Sequence, residues 1–235
     1  MSQQARYWCV VPAAGVGRRM QSELPKQYLP LHGRSLIEHA LLSLLEHPLI
    51  ERVVVAIADS DPWWETLAIA ASPAVTRTAG GAERAESVLN GLHALAGVAA
   101  PGDWVLVHDA ARPCLQQEDL QRLISALSEH PVGGLLGVPV HDTVKRAGQD
   151  GSVLETLPRE QLWRAFTPQM FRYGPLLEAL QEGCAAGRVI TDEASAMEQA
   201  GHQPLLVEGR SDNIKVTRRE DLALAAFYLE QLARS

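Results

Sequence analysis

A short glycine-containing segment near the N-terminus carries several groups that could bind phosphate. Residues 12–20 read PAAGVGRRM and directly follow an apolar run, and Pro25-Lys26 come shortly afterwards. Small residues let the backbone approach a ligand closely, and backbone N–H groups after a strand can donate hydrogen bonds to phosphate oxygens. Arg18, Arg19 and Lys26 add three cations to the same region. The segment therefore predicts a phosphate-binding loop in preference to an ordinary glycine-containing turn.

Two known phosphate-binding patterns do not match this segment. A Walker loop requires Gly-Lys followed by Ser or Thr, and that sequence does not follow here. The dinucleotide fingerprint requires a third glycine, whereas Gly17 is followed by Arg18, Arg19 and Met20. Taken alone, the segment indicates a phosphate group nearby and does not identify the molecule that carries it.

A glycine pair further along the chain could also face a ligand. Gly80-Gly81 open a helical pattern that includes Ser87, so the pair could admit a flat base or a phosphate beside the positive end of a helix. Plain helix capping explains the same residues equally well.

A carboxylate follows the apolar run at residues 104–108. Asp109 is poorly placed there for packing, and the alternative to a function is a solvated residue at the end of a strand. Mg²⁺ usually takes one or two carboxylates together with substrate phosphates, so Asp109 is the candidate magnesium ligand. Arg112 could bind an anion beside it, whereas we expect His108 to be satisfied at the edge of the core and assign it no chemistry.

A further set of polar residues is scattered over the second half of the chain. Its members are Thr143, Arg159, Thr191, Arg210 and Lys215. Taken singly, each is typical of an exposed or capping position. Lys215 places a charge in a strand-like stretch, and Thr191 precedes a helical pattern that it could cap.

The elements that must position these residues alternate between apolar runs and helical patterns. The predicted strands are Trp8–Val11, Val53–Ala58, Trp104–His108, Gly133–Val138, Leu205–Val207 and Asn213–Val216. The predicted helices are 36–45, Glu83–Leu95, Glu118–Leu127, Leu176–Ala186, Asp192–Gly201 and Arg218–Ala233. Capping boxes are expected at Ser35 with Glu38 and at Thr217 with Glu220. The order predicts a Rossmann-like, doubly wound α/β fold with a mostly parallel sheet, which binds ligands beyond the C-terminal strand ends.

Residues 140–161 interrupt this alternation. Thr143–Arg146 and Ser152–Thr156 have the pattern of two short strands, and the residues between them, Gln149-Asp150-Gly151, supply a turn. We therefore expect an inserted β-hairpin arm. An isolated hairpin is barely stable in water, so the arm is expected to pack on another surface, such as a second subunit.

Composition excludes several classes of protein. At 235 residues with 46% apolar content, the chain can bury a full core, and we expect one domain over residues 1–235. The formal net charge of −7 argues against nucleic-acid binding but allows a phosphate pocket with local cations. Three scattered cysteines favour free thiols in a reducing compartment, and no apolar run is long enough to span a membrane. The sequence therefore predicts a cytoplasmic protein.

Taken together in chain order, these segments resemble a known family, the 2-C-methyl-D-erythritol 4-phosphate cytidylyltransferases. The resemblance covers nearly the whole chain and is carried by residues 12–20, 25–28, 80–87, 107–113, 191–194 and 212–217. It implies transfer of CMP from CTP to 2-C-methyl-D-erythritol 4-phosphate, with release of pyrophosphate, in non-mevalonate isoprenoid biosynthesis. It also implies Mg²⁺ as cofactor and a homodimer in which the hairpin arm reaches into the partner's active site.

The resemblance also implies roles for individual residues. Nucleotide binding falls to Pro12, Ala13, Ala14, Gly15, Gly17, Gly81 and Ser87. Arg19 and Lys26 are implied to stabilise the transition state at the α-phosphate, and Arg159 to position the attacking phosphate. Lys215 is implied to lie near that phosphate and the CTP, as a further catalytic residue. Asp109, Arg112, Thr143 and Thr191 are implied to bind the sugar phosphate, with Asp109 also on the metal and both Thr143 and Arg159 supplied by the partner's arm. One departure is Ala82, where the family commonly has Asp.

Three other functions compete with this reading. A related enzyme could use another alditol phosphate, such as ribitol 5-phosphate, and the arm and the Thr191 loop decide between these substrates. A dinucleotide-dependent redox enzyme is disfavoured because the full glycine fingerprint and its downstream acidic residue are missing. A nucleotide sensor without catalysis would bind CTP and not turn it over.

Overall fold

The computed structural model describes residues 5–15 and 24–232. Gly17, Arg18 and Arg19 of the predicted phosphate-binding loop lie outside the described residues. The helices are α1 Leu36–Leu45, α2 Arg84–His93, α3 Gln117–Leu127, α4 Tyr173–Ala185, α5 Glu193–Gln199 and α6 Arg219–Leu232. The strands are β1 Tyr7–Pro12, β2 Pro30–Leu31, β3 Arg34–Ser35, β4 Ile50–Ile57, β5 Val75–Ala79, β6 Trp104–Val107, β7 Gly133–Pro139, β8 Val144–Ala147, β9 Val153–Leu157, β10 Trp163–Arg172 and β11 Leu205–Glu208.

Seven of these strands form the central sheet, in the order β11-β7-β10-β6-β1-β4-β5. Strand β10 runs antiparallel to both of its neighbours, β6 and β7. The remaining pairs of neighbours are parallel. The predicted α/β fold with a mostly parallel sheet is therefore confirmed.

Helices cover both faces of the sheet, which explains the continuous apolar runs of its strands. Along β1, Cys9 and Val11 pack in one core cluster with side chains of α1 and α3. The intervening Trp8 and Val10 pack in a second cluster with side chains of α2, α4 and α5. Successive side chains of a strand point to opposite faces, so both sets are buried and no polar alternation appears in the sequence.

Three parts of the sheet differ from the sequence prediction. Strands β5 and β10 were not predicted, because β5 reads VTRTA and lies at an edge, and because the polar Thr167 and Gln169 interrupt the pattern of β10. The predicted strand Asn213–Val216 is wrong. That segment is an irregular connection, fastened by a hydrogen bond of 2.8 Å from the Val216 N–H to the Ala111 carbonyl oxygen.

The helix caps were predicted with mixed success. At the start of α1, Glu38 accepts hydrogen bonds from both the backbone N–H and the hydroxyl of Ser35, as expected. At the start of α6, the Thr217 N–H and hydroxyl donate to Asp221 and not to Glu220. Helix α5 is capped by Asp192, one residue after the predicted Thr191.

The inserted hairpin is confirmed. Strands β8 and β9 form an antiparallel sheet of their own, separate from the central sheet. The side chains of Val153 and Leu154 on β9 are 62% and 61% exposed, so the arm presents apolar surface that this chain does not cover.

Two expectations about the environment of the protein can be compared with the structure. All three cysteines are free thiols, and burial raises the pKa of Cys114 to about 12, which leaves it unreactive at neutral pH. Across residues 5–15 and 24–232, none of the helices combines the length and the apolar character that crossing a bilayer requires.

Candidate active site

A solvent-open cleft with about 660 Å³ of empty space lies at the C-terminal ends of β1 and β6. Three loops and two lysines form its walls. The lining residues are Pro12, Ala13, Ala14, Gly15, Lys26, Gln27, Gly81, Ala82, Glu83, Arg84, Ser87, Asp109, Ala110, Ala111 and Lys215. The sequence prediction that ligands bind beyond these strand ends thus coincides with the cleft that the fold creates.

The loop after β1 is held in place from two sides. The Ala13 N–H donates to the Ala56 carbonyl oxygen of β4 at 2.8 Å, and the Gln27 side chain donates to the Ala13 carbonyl oxygen, also at 2.8 Å. Gln27 is buried and belongs to the same 3₁₀ turn as Lys26, which faces the cleft. The backbone amide of Ala13 is therefore occupied by the sheet, and its loop is fixed relative to Lys26.

The glycine pair permits a close approach between this loop and the start of α2. A side chain on Gly80 would overlap the Cβ atom of Ala14, so only glycine allows the two segments to meet. The Gly81 N–H donates to the Ser87 hydroxyl at 3.0 Å, and the Ala82 N–H donates to the Glu86 carboxylate at 2.8 Å. The loop is thus organised by its own helix before any ligand is bound.

Asp109 occupies the centre of the cleft floor and is surrounded by cations. Its Oδ1 atom lies 3.1 Å from Arg84 Nε, and its Oδ2 atom lies 2.8 Å from Lys215 Nζ and 3.7 Å from Arg112 Nε. Burial opposes ionisation of this carboxyl, but the charges of Arg84, Lys215 and Arg112 outweigh that effect. The pKa of Asp109 is therefore held far below its usual range, and the residue is an anion at neutral pH.

A chain of hydrogen bonds fixes the backbone around Asp109. Its N–H donates to Thr167 Oγ1 at 3.0 Å, and Thr167 Oγ1 lies 3.0 Å from His108 Nδ1. His108 Nε2 lies 3.1 Å from the Arg112 carbonyl oxygen, which can only accept, so Nε2 carries the proton and Nδ1 accepts from Thr167. The buried histidine is satisfied, as expected, and it holds the loop in place without reaching the cleft.

Arg112 lies behind Asp109 and does not line the cleft. Its Nη1 atom donates to the Asn213 carbonyl oxygen at 2.7 Å, and its guanidinium lies 4.7 Å from the centroid of the Phe166 ring. This hydrogen bond also fastens the segment that carries Lys215. Its Nε atom is buried and has no hydrogen-bond partner among the described residues.

Gly17 and Arg19 lie outside the described residues, and the other predicted site residues fall into three groups. Arg112, behind Asp109, forms one of them by itself. The structure brings together nine of them in the cleft: Pro12, Ala13, Ala14, Gly15, Lys26, Gly81, Ser87, Asp109 and Lys215. Thr143, Arg159 and Thr191 are exposed and do not line this cleft in the described part of the chain. Arg159 instead donates to the His141 carbonyl oxygen at 2.5 Å, at the base of the arm.

Sequence reasoning missed four side chains that shape the site. Arg84 and Gln27 line the cleft, Thr167 holds the Asp109 loop, and Glu193 binds Arg84. Only Arg84 gave a local signal, since it follows the glycine pair in the first turn of a helix. The other three act on partners between 14 and 109 residues away in the chain, and a single sequence does not reveal such pairs.

The donor set allows one kind of metal site. Among the described residues, there is no group of three or more His, Cys, Asp or Glu side chains that could hold an ion by themselves. Asp109 is an ionised carboxylate on the floor of the cleft. One carboxylate fits an ion such as Mg²⁺, which completes its coordination with phosphate oxygens and water.

Comparison with known proteins identifies relatives over almost the whole chain. The family model for 2-C-methyl-D-erythritol 4-phosphate cytidylyltransferase matches residues 7–231. The enzyme of that name from Ectopseudomonas mendocina is 58% identical over 219 residues, which cover 93% of each chain.

Solved structures give the same result at the level of the fold. A crystal structure of a 4-diphosphocytidyl-2C-methyl-D-erythritol synthase is similar with a TM-score of 0.84 and 38% identity, covering 97% of this chain and all of the other. The 2-C-methyl-D-erythritol 4-phosphate cytidylyltransferase of Francisella tularensis is similar with a TM-score of 0.84 and 34% identity, covering 95% of this chain and all of that one.

Proposed function

We propose how the cleft operates in a chain that belongs to the 2-C-methyl-D-erythritol 4-phosphate cytidylyltransferase family. As a member of that family the protein is a nucleotidyltransferase. It transfers CMP from CTP to 2-C-methyl-D-erythritol 4-phosphate in isoprenoid biosynthesis, and yields 4-diphosphocytidyl-2-C-methyl-D-erythritol and pyrophosphate. The observation that carries our proposal for the site is the ionised Asp109 with Arg84, Arg112 and Lys215 around it.

The chemistry explains why the cleft offers cations and no pair of nucleophile and base. A phosphate oxygen of the sugar alcohol attacks the α-phosphorus of CTP in line, and the bond to the pyrophosphate oxygen breaks. The attacking oxygen is already an anion, so no proton has to be removed first. Catalysis then depends on positioning two anionic substrates and on balancing the charge that develops between them.

The nucleotide half of the cleft is assigned to the loop after β1 and to the start of α2. The backbone of residues 12–15 and the Gly81–Ser87 segment are proposed to hold CTP, and Lys26 to stabilise the charge at its α-phosphate. Arg19 is proposed to share that task, and Gly17 to belong to the same loop. Ala82 offers the base only its backbone and a methyl group, where the family commonly has a carboxylate.

The sugar-phosphate half is assigned to Asp109 and the residues near it. Asp109 is proposed to bind 2-C-methyl-D-erythritol 4-phosphate, and Lys215 to position its attacking phosphate. Arg112 is proposed to add its charge from behind Asp109, and Thr191 to contribute from the exposed segment before α5. Lys215 is suited to this task because its Nζ atom already lies at the cleft floor, 2.8 Å from Asp109 Oδ2. An ammonium group has three donors, so it can contact a phosphate while it keeps a bond to the carboxylate.

Mg²⁺ is the proposed cofactor, and Asp109 is the residue of this chain that would hold it. When bound, the ion would draw charge off the phosphate oxygens of CTP and so assist departure of pyrophosphate. The chain itself supplies the carboxylate, the flanking cations and the walls of the cleft.

A homodimer with exchanged arms is proposed to complete the site. Thr143 and Arg159 belong to the arm and do not line the cleft described above. The exposed Val153 and Leu154 of β9 supply apolar surface for a second subunit to bury. An arm from the partner would add a cation where two anions must meet. The free thiols agree with a reducing compartment, and we propose the cytoplasm.

Mixed dimers test the arm exchange. Lys26→Ala and Arg159→Ala should each be nearly inactive alone. If the arm crosses, a dimer containing one subunit of each variant has one site with both changes and one site with neither. Co-expression of the two should then restore about a quarter of wild-type turnover, since half of the dimers formed at random are mixed. No recovery in purified mixed dimers would show that the arm serves its own subunit.

The substrate is tested by comparing two alditol phosphates in separate assays. Pyrophosphate release is measured with CTP and either 2-C-methyl-D-erythritol 4-phosphate or ribitol 5-phosphate, each over a range of concentrations. We expect kcat/KM to be at least about 100-fold higher for the first, because its extra methyl group and its shorter chain change both the shape and the phosphate position. Faster turnover of ribitol 5-phosphate would overturn the assignment.

A further inference from the structure

One buried carboxylate lies near the cleft without lining it. Glu193 is the first residue of α5, and only 1% of its side chain is exposed. Both of its carboxylate oxygens bind Arg84, with Oε1 at 2.7 Å from Nη1 and Oε2 at 3.1 Å from Nη2. A buried carboxylate with this paired geometry is among the strongest contacts that a protein offers.

Arg84 connects this carboxylate to the reaction site. It is the first residue of α2 and lines the cleft, and its Nε atom donates to Asp109 Oδ1 at 3.1 Å. The guanidinium therefore spans two carboxylates with three of its nitrogen atoms. Because a guanidinium is planar and rigid, fixing its two Nη atoms on Glu193 also fixes the direction in which Nε points toward Asp109.

Glu193 is itself held rigidly by β10. Gln169 of that strand is 1% exposed and accepts from the Ala194 N–H at 2.7 Å, while its amide nitrogen donates to Asp192 at 2.9 Å. The start of α5 is therefore attached on both sides of Glu193. A rigid anchor of this kind can transmit its position through Arg84 to the cleft floor.

We propose that Glu193 is a positioning residue for the nucleotidyl transfer, and that it acts through Arg84 to orient Asp109 and, with it, Lys215. The proposal rests on the roles given above to Asp109 and Lys215. Asp109 has only two oxygens, and Lys215 Nζ lies at Oδ2 while Arg84 Nε lies at Oδ1. Without Glu193, the guanidinium is free to turn and bind both oxygens of Asp109, in competition with Lys215.

The net charge of the cluster around Asp109 also predicts that Lys215 is displaced when Glu193 loses its charge. Arg84, Arg112 and Lys215 face Asp109, and Glu193 is the second anion of the cluster. The two carboxylates leave the cluster with one net positive charge, whereas Asp109 alone would leave two. Removing the Glu193 charge increases the repulsion among the cations and displaces the most mobile of them. Lys215, with a side chain 37% exposed, is less enclosed than Arg84 or Arg112.

Glu193→Gln tests the proposal, since it keeps the shape of the side chain and removes its charge. We expect kcat to fall about tenfold or more at saturating substrates, with a smaller change in KM for CTP, because the disturbed groups face the attacking phosphate. Arg84→Met should lose a similar factor. The double variant should be no slower than Arg84→Met alone, because Glu193 then has nothing to act through.

Asp103→Asn is the matched control, because Asp103 is also a buried carboxylate with several hydrogen bonds but lies at the other end of the strands. It should lower the thermal midpoint and leave kcat per folded molecule unchanged. The proposal is overturned if Glu193→Gln lowers only the midpoint, or if the two changes multiply in the double variant. If Glu193→Gln fails to fold, Arg84→Lys replaces it as the test, because a lysine keeps the positive charge and loses the paired geometry. An unchanged kcat in Arg84→Lys would then overturn the proposal.

Failure of the proposal is distinct from failure of the assigned function. If the wild-type enzyme does not release pyrophosphate from CTP and 2-C-methyl-D-erythritol 4-phosphate, the function is wrong. If wild type turns over and Glu193→Gln matches it, only the positioning role is wrong.

Discussion

The two ends of the central sheet each bury an aspartate, and the two aspartates have different kinds of partner. Asp103, just before β6, accepts from the backbone N–H groups of Arg6 and Ala100 at 3.1 and 3.0 Å, and from the indole N–H of Trp8 at 3.0 Å. Asp109, just after β6, faces three side-chain cations instead. Both carboxyls have a lowered pKa despite burial, so ionisation alone does not distinguish them.

The two aspartates differ in how many donors and how much charge their partners have left for a ligand. The N–H groups around Asp103 belong to the backbone or to an indole ring, each has one proton to donate, and that proton is used. The cations around Asp109 are side chains that carry a full charge and several donors each, and Lys215 among them is 37% exposed. The first arrangement fastens a chain segment to the sheet. The second can pass part of its charge to a phosphate that enters the cleft, which is what a transfer between two anions requires.

The strongest way to break this comparison is to neutralise each aspartate in turn. Asp109→Asn should lower kcat about 100-fold or more, because an amide neither holds Lys215 and Arg84 in place nor offers a charge to a metal ion. Pyrophosphate release at saturating CTP and sugar phosphate measures the effect.

Asp103→Asn is the other half of that experiment. It should weaken three hydrogen bonds to a charged acceptor and reduce the free energy of unfolding by about 1–3 kcal/mol, as urea denaturation would show. Its turnover per folded molecule should stay within about twofold of wild type. Equal losses of turnover in the two variants would mean that the ends of the sheet do not divide structure from catalysis in this way.

At the cleft end of the sheet, the sequence predicted candidate site residues better than it predicted the hydrogen bonds and ion pairs that hold them. Asp109 stood out because a charge at the end of a buried strand has no packing purpose, and the glycine pair at residues 80–81 because it precedes a helix. Both signals are local. The connection from Glu193 through Arg84 joins residues 109 positions apart and depends on how β10 and α5 meet in space. No pattern within either segment reveals it.

The errors in secondary structure have the same origin. The segment Asn213–Val216 has alternating apolar residues and was predicted as a strand, but in the fold it approaches the Asp109 loop and not the sheet. Strand β10 was missed because Thr167 and Gln169 are polar. They are polar because they serve the site: one holds the Asp109 loop and the other the start of α5. Residues that position a site therefore weaken the very pattern by which their strand would be recognised.

A second pair of substitutions sharpens the comparison at the backbone level. Gly80 approaches Ala14 so closely that a Cβ atom would overlap it, whereas a Cβ atom on Gly102, the residue before Asp103, would meet nothing within 4 Å. Gly80→Ala should push the start of α2 away from the loop after β1 and raise KM for CTP about tenfold or more. Gly102→Ala should leave KM and kcat unchanged. Initial-rate kinetics over a range of CTP concentrations checks both, and an unaffected Gly80→Ala variant would mean that the close approach does not matter for the nucleotide.

The smallest expected effect is a difference in the response to acid. Burial lowers the pKa of His108 to about 4, more than its hydrogen bond to the Arg112 carbonyl and the nearby Asp109 charge can offset, whereas in the unfolded chain it titrates near 6.5. Between those values the unfolded state binds the proton and the folded state does not. The stability due to neutral His108 is thus complete above about pH 6.5 and is lost as the pH falls toward 4, by at most about 1.4 kcal/mol per pH unit.

His108→Gln keeps a donor for the Arg112 carbonyl and removes the titration. Urea denaturation from pH 7 to pH 5 should therefore show wild type losing stability more steeply than this variant, and parallel curves would mean that His108 is not the source of the acid sensitivity.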